Sequence, residues 1–107
     1  MKNKCTPFLL LLFLVLLGHA CSTASFTQTD LATAAQRWPG TTLHDLQQGQ
    51  VLYASSCAHC HALKSPESQD EAGWNKWVPV MSQKAHLNDH DRNLIWHYLL
   101  LKCNPGN

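Results

Sequence analysis

Cys57-Ala58-His59-Cys60-His61 is the stretch on which the reading of this chain turns. On a helix, positions i, i+3 and i+4 share a face. In that register both thiols and the imidazole of His61 point to the same side. The residues just before it are helical in pattern. Thr42 followed by Asp45 has the spacing of a capping box. Leu43, Leu46 and Tyr53 then fall near one face, and the motif continues in the same register. Gly49 interrupts this helix at a cost of roughly 1 kcal/mol relative to Ala. Two readings of that glycine stay open: a close approach by another helix or a ligand, or a tolerated surface position.

Three chemistries compete for two cysteines at this spacing. A redox-active dithiol wants a βαβ context, and no strand-period run of useful length is present. A zinc site wants a second ligand pair, and beyond scattered histidines there is no second C-x-x-C. A disulfide closed within the motif leaves His61 without a role. C-x-x-C-H in an exported chain is a haem attachment signal. The two sulfurs add across the porphyrin vinyl groups as thioethers, and the adjacent imidazole reaches the iron. The expectation is therefore one covalent haem c, held by Cys57 and Cys60, with His61 as proximal iron ligand.

Export is read at the N-terminus. Lys2 and Lys4 precede an unbroken apolar run from Phe8 to Leu17, with small residues following at Gly18 and Ala20. This is the pattern of a secretory signal, residues 1–20. The run is short of the roughly 20 residues that span a bilayer. Cleavage after Ala20 is one outcome. The other is lipidation of Cys21, because Leu16-Leu17-Gly18-His19-Ala20-Cys21 resembles a lipoprotein box. The lipid reading is preferred, since a cysteine at this junction has few other uses. The expected location is periplasmic or otherwise exported, with membrane association only through that lipid. Of the chain's 107 residues, 45% are hydrophobic, a share inflated by this segment. From Ser22 onward six Lys or Arg stand against seven Asp or Glu, with no basic run, which argues against nucleic acid. Residues 21–41 read as a tether and a short N-terminal segment, in which Asp30 to Trp38 forms a helix stopped by Pro39-Gly40. The domain proper is expected over 42–107.

On the C-terminal side, Lys64-Ser65-Pro66 breaks the first helix. Ser68 to Val78 reads as a second, with Trp74, Trp77 and Val78 on one face and Pro79 disturbing the backbone beyond it. The last helix has Asn88 as N-cap, Asp89 and Asp91 at the positive end of its dipole, and Leu94, Ile95, Tyr98 and Leu99 as its apolar stripe. Asn104-Pro105-Gly106 ends it. The fold class is all-α, with three or more helices around the haem. Met81 is the one methionine beyond the signal, and its soft thioether suits an iron that shuttles one electron. Core filling is the commoner use of methionine. His86, His90 and His97 compete as ligands, and His44 and His59 read as exposed polar residues. Leu46, Tyr53, Leu63, Val78, Val80 and Leu94 are the expected cover for the porphyrin. Cys103 has no assigned role.

From Leu43 to Leu101 the pattern resembles class I c-type cytochromes. Gly49 and Tyr53 in the first helix, the C-x-x-C-H at its end, Met81 in a later segment and Tyr98-Leu99 in the terminal helix carry the resemblance. It implies a cytochrome c-like fold in which the first and last helices cross closely, with Gly49 meeting Tyr98. It also implies Met81 as distal iron ligand. The function implied is a one-electron carrier rather than an enzyme, exchanging electrons with exported or membrane redox proteins. No Met-Pro pair marks a ligand loop here, and Trp74 to Met81 reads as more helical than such a loop. Pro66 is a candidate to offer its carbonyl to the outer nitrogen of His61. Lys64, Lys76 and Lys84 read first as solvated lysines and second as docking charges. Two other functions remain open: a gas or redox sensor with a labile sixth site, and an accessory haem subunit of an oxidoreductase complex.

Overall fold

The computed structural model describes residues 25–58 and 62–106. The signal, Cys21, His59, Cys60 and His61 lie outside the described residues. The described chain is all-α. Helix α1 spans Gln28–Arg37, α2 Leu43–Cys57, α3 Glu71–Lys84 and α4 Asp89–Lys102, with a 3₁₀ turn at Pro66–Ser68. No helix among these residues is long and apolar enough to cross a membrane.

Each helix starts where its side chains can satisfy the exposed amides of the first turn. Thr42 and Asp45 form the expected capping box on α2, and Thr27 and Asp30 form a second on α1. Asp70 accepts from the amide of Gly73 at the start of α3, and Asn88 accepts from Asp91 at the start of α4. Helix α3 thus starts later than the Ser68 anticipated, because Pro66 and Ser68 are used in the 3₁₀ turn. It also ends later. Pro79 lies inside α3, which runs on to Lys84. A helix-interior proline costs about 3 kcal/mol, through one lost hydrogen bond and a ring clash. What holds the helix across it is a stripe of one buried residue per turn, Trp74, Val78 and Ser82. A cross-helix bond from Trp96 Nε1 to Asn75 Oδ1 at 2.8 Å reinforces the same stretch. Helix α3 ends in a Schellman-type turn: Leu87 N–H donates to Ser82 O and His86 N–H to Gln83 O, with His86 in the left-handed region at φ 54°.

Helices α2 and α4 share the most extensive interface of the bundle. Gly49 is buried where they meet. A Cβ built on it would overlap the Leu94 carbonyl oxygen and lie 3.1 Å from Tyr98 Cβ. The glycine thus marks a close helix approach, against both Leu94 and Tyr98. The core beside this crossing joins Tyr53, Trp74, Val78, Ile95, Tyr98 and Leu99, with Tyr53 in edge contact with Trp74. Leu43 lies outside it, exposed at the start of α2.

Helix α1 falls within the segment read as tether and N-terminal stretch, and it is packed against α4. Lys102 Nζ donates to Asp30 Oδ2 at 2.6 Å, both side chains being less than a fifth exposed. Phe26 meets Tyr98 edge-on, and Trp38 stacks on His97 with ring centroids 4.1 Å apart. Arg37 pairs with Glu71 of α3 at 2.8 Å. Burial, and after it the neighbouring Arg37 guanidinium, hold His97 below the usual imidazole pKa, against a smaller opposing pull from Asp45. The unfolded chain therefore takes up a proton at His97 at a higher pH than the folded one. Stability conferred by this stack is present above the unfolded-state pKa near 6.5 and falls as pH drops through it. The urea midpoint is expected to decline between pH 7.5 and 5.5. His97→Phe, which keeps a ring against Trp38, should remove that part of the decline. An unchanged pH profile in His97→Phe would refute the assignment.

Candidate functional site

The C-terminus of α2, the middle of α3 and the inner face of α4 enclose a cleft of about 330 Å³. That is within the range of roughly 300–1,000 Å³ typical of small-molecule sites. Its walls come from the core stripe of each helix. Tyr53 and Cys57 are one turn apart on α2. Trp74, Trp77, Val78, Met81 and Ser82 contribute from α3, and Ile95 and Leu99 from α4. Ser82 is buried on this wall.

Cys57 is the last residue of α2 and is half-buried against this cleft. Met81 reaches the same cleft from α3, so the structure brings together the two predicted sulfur-bearing residues that it describes. Met81 sits on a helix, not in a loop, as the Trp74–Met81 pattern suggested. The rival ligands are elsewhere. His97 stacks on Trp38 at the α1 face, and His44, His86 and His90 are exposed. His86 and His90 stand at H-x3-H spacing, a pair of the kind zinc sites use. Among the described residues, however, no group of three or more His, Cys, Asp or Glu is placed to hold a metal ion.

The cover anticipated for the porphyrin is only partly what lines the cleft. Tyr53 and Val78 do line it. Leu46 and Leu94 are buried but not on its wall, while Leu63 and Val80 are exposed. Trp74, Ile95 and Leu99 take their places, because the core stripes of α3 and α4 face inward where the flanking residues do not. Trp77 lines the cleft yet remains 45% exposed, so one edge of the space opens to solvent. Lys76 lies over the Trp77 ring, its Nζ 5.3 Å from the centroid, and Lys64 borders the cleft.

The loop after the motif is tied to the cleft by side chains. Tyr53 Oη donates to the Lys64 carbonyl at 2.7 Å, and Trp74 Nε1 donates to the Pro66 carbonyl at 2.8 Å. The Pro66 carbonyl considered for His61 thus already accepts from an indole. Burial, with the Cys57 thiol nearby, pushes the Tyr53 phenol up to about 12, so it stays a donor at neutral pH. Cys103 lies beyond the end of α4, its thiol donating to the Leu100 carbonyl at 3.3 Å and its pKa raised by burial.

Chemically, this is an apolar slot with a thiol on one wall, a thioether on another and aromatic rings between. It suits an apolar group that accepts soft sulfur donors. Set against known proteins, the chain matches no protein-family model, no curated protein and no solved structure, and its site is read from its own residues.

Proposed function

We propose that this chain is an exported monohaem c-type cytochrome that carries one electron at a time, its iron ligated by His61 and Met81. One observation carries the reading: the first cysteine of a C-x-x-C-H opens onto an apolar cleft that the single methionine outside the signal segment also lines. The fit to a haem c rests on the donor set and the lining. Cys57 and Cys60 supply the two thiols, His61 an imidazole and Met81 a neutral sulfur. The bound haem would supply an iron that gains and loses one electron.

The chain's own residues then do the rest. Cys57 and Cys60 hold the group covalently, so it is retained through each electron transfer. Met81 offers little charge to oxidised iron and thereby favours the reduced state, raising the potential relative to two imidazoles. Tyr53, Trp74, Val78, Ile95 and Leu99 exclude water, which further disfavours the more highly charged oxidised state. The open edge at Trp77 leaves a path for contact with partners, which on this reading are exported or membrane redox proteins. On this reading the protein carries electrons and transforms no substrate.

The visible spectrum of the oxidised holoprotein tests this. A weak band near the red end, from sulfur-to-iron charge transfer, is expected and should vanish in Met81→Ala. Carbon monoxide should bind the reduced wild type slowly or not at all, and Met81→Ala rapidly. Rapid stoichiometric binding to the wild type would instead favour a sensor with a labile sixth site. Correctly matured protein lacking covalent haem would overturn the proposal altogether.

A further inference from the structure

Trp74, Val78 and Ser82 form the buried stripe of α3, one residue per turn, and all three line the cleft. Two are apolar and the third carries a hydroxyl, on a residue only 6% exposed. The hydroxyls of Ser55 on α2 and Ser68 in the 3₁₀ turn each donate to the carbonyl three residues back. That of Ser82 makes no hydrogen bond among the described residues, and the space open to it is the cleft. A serine here is costly in isolation. A buried hydroxyl without a partner is unfavourable, and serine is a poorer helix former than alanine. The cost is offset when a group in the cleft presents an acceptor.

Position narrows that acceptor. Trp74 is the level at which α3 meets Tyr53 of α2, ring centroids 6.0 Å apart. Ser82 lies two turns further on, about 12 Å along the helix axis. The wall's other polar side chains belong to the near end: Lys64 and Gln69 precede α3, and Tyr53 already donates to the Lys64 carbonyl at 2.7 Å. A haem bonded at the C-terminus of α2, where Cys57 stands, has its thioether edge there. Its only ionised oxygens are the two propionates, on the opposite edge of the ring.

We propose that Ser82 is a haem-binding residue whose hydroxyl donates to a propionate carboxylate, fixing the edge of the ring remote from the thioethers. This rests on the haem reading of the cleft. A hydrogen bond to a charged acceptor is stronger than one between neutral groups, so one hydroxyl suffices to favour this seating.

The test uses holoprotein matured with export and haem-attachment machinery, as wild type, Ser82→Ala, Ser82→Thr and the control Ser55→Ala. An idle hydroxyl and a bonded one predict opposite signs. If it is idle, Ser82→Ala raises the melting temperature. If it holds a propionate, Ser82→Ala lowers it by about 5 °C. Redox-difference infrared spectra should show a propionate carboxylate stretch displaced in Ser82→Ala and near its wild-type position in Ser82→Thr, which keeps the hydroxyl. Ser55→Ala should leave that band unmoved. A band unmoved in Ser82→Ala would overturn the inference, whatever the melting temperature does, and leave the carrier reading intact. So would an equal displacement in Ser55→Ala. Wild-type protein without covalent haem would overturn both. Should Ser82→Thr fail to fold around its extra methyl, Ser82→Ala, which deletes a single oxygen, decides alone.

Discussion

Chains in which Cys57 and Cys60 are both replaced by alanine are expected to lose most of their far-UV helical signal under conditions where the matured protein is folded. The substitutions are small, and neither changes a helix propensity unfavourably. The effect comes from the cleft. Tyr53, Trp74, Val78, Ile95 and Leu99 belong to the main core, and all of them also face the cleft. Without a resident group, those side chains lack contact partners on that side, and dispersion is forfeited across the gap. At about 24 cal/mol per Å³ of cavity, a 330 Å³ space corresponds to about 8 kcal/mol. This is an upper bound, because the space opens to solvent at Trp77. Even half of it is comparable with the roughly 5–15 kcal/mol by which small domains are stable. A core this small gains from a staple, and two thioethers to a large apolar ring are one. Circular dichroism of the double variant, beside matured wild type, is the measurement. Native-like helicity with a cooperative unfolding transition would sink the idea that the core depends on a bound group.

The helical class and both ends of α4 were legible because they depend on neighbours in sequence. Thr42 with Asp45, and Asn88 with Asp91, meet across a single turn, so spacing alone identifies them. The stripe Leu94, Ile95, Tyr98 and Leu99 is a matter of period. The course of α3 was not legible, since Pro79 argues locally for a break and is overridden by the inward packing of Trp74, Val78 and Ser82. Nor could spacing separate Trp74, which is in the core, from Trp77, which is at the surface. The docking of α1 depends on pairs some 70 residues apart, Asp30 with Lys102 and Phe26 with Tyr98, and no local pattern encodes those. At the site, Cys57 and Met81 could be nominated from residue type and spacing. That Tyr53 and Trp74 reach loop carbonyls required coordinates.

Gly49→Ala is expected to lower stability by at least about 2 kcal/mol, the opposite of what helix propensity predicts. On an exposed helix, alanine at a glycine position gains up to about 1 kcal/mol. Here the new methyl would overlap the Leu94 carbonyl oxygen, lie 2.7 Å from its carbon and 3.1 Å from Tyr98 Cβ. The Leu94 atoms are backbone within α4, so no rotamer change can clear them. Helices α2 and α4 must separate, and the packing of Tyr53, Ile95 and Tyr98 loosens with them. Overpacking a tight core costs about 1–3 kcal/mol even where side chains can yield, and a backbone obstacle belongs at or above the upper end. For a domain of this size the melting temperature should fall by about 10 °C or more. Gly73→Ala is the comparison. The atom its Cβ would first meet is the amide oxygen of Gln69, the far end of a flexible side chain that can swing away. Its melting temperature should change little, or rise. The contrast separates a close backbone approach from a general intolerance of alanine. If Gly49→Ala is as stable as wild type, α2 and α4 do not cross backbone to backbone at this residue, and the cleft built on that crossing has a different shape.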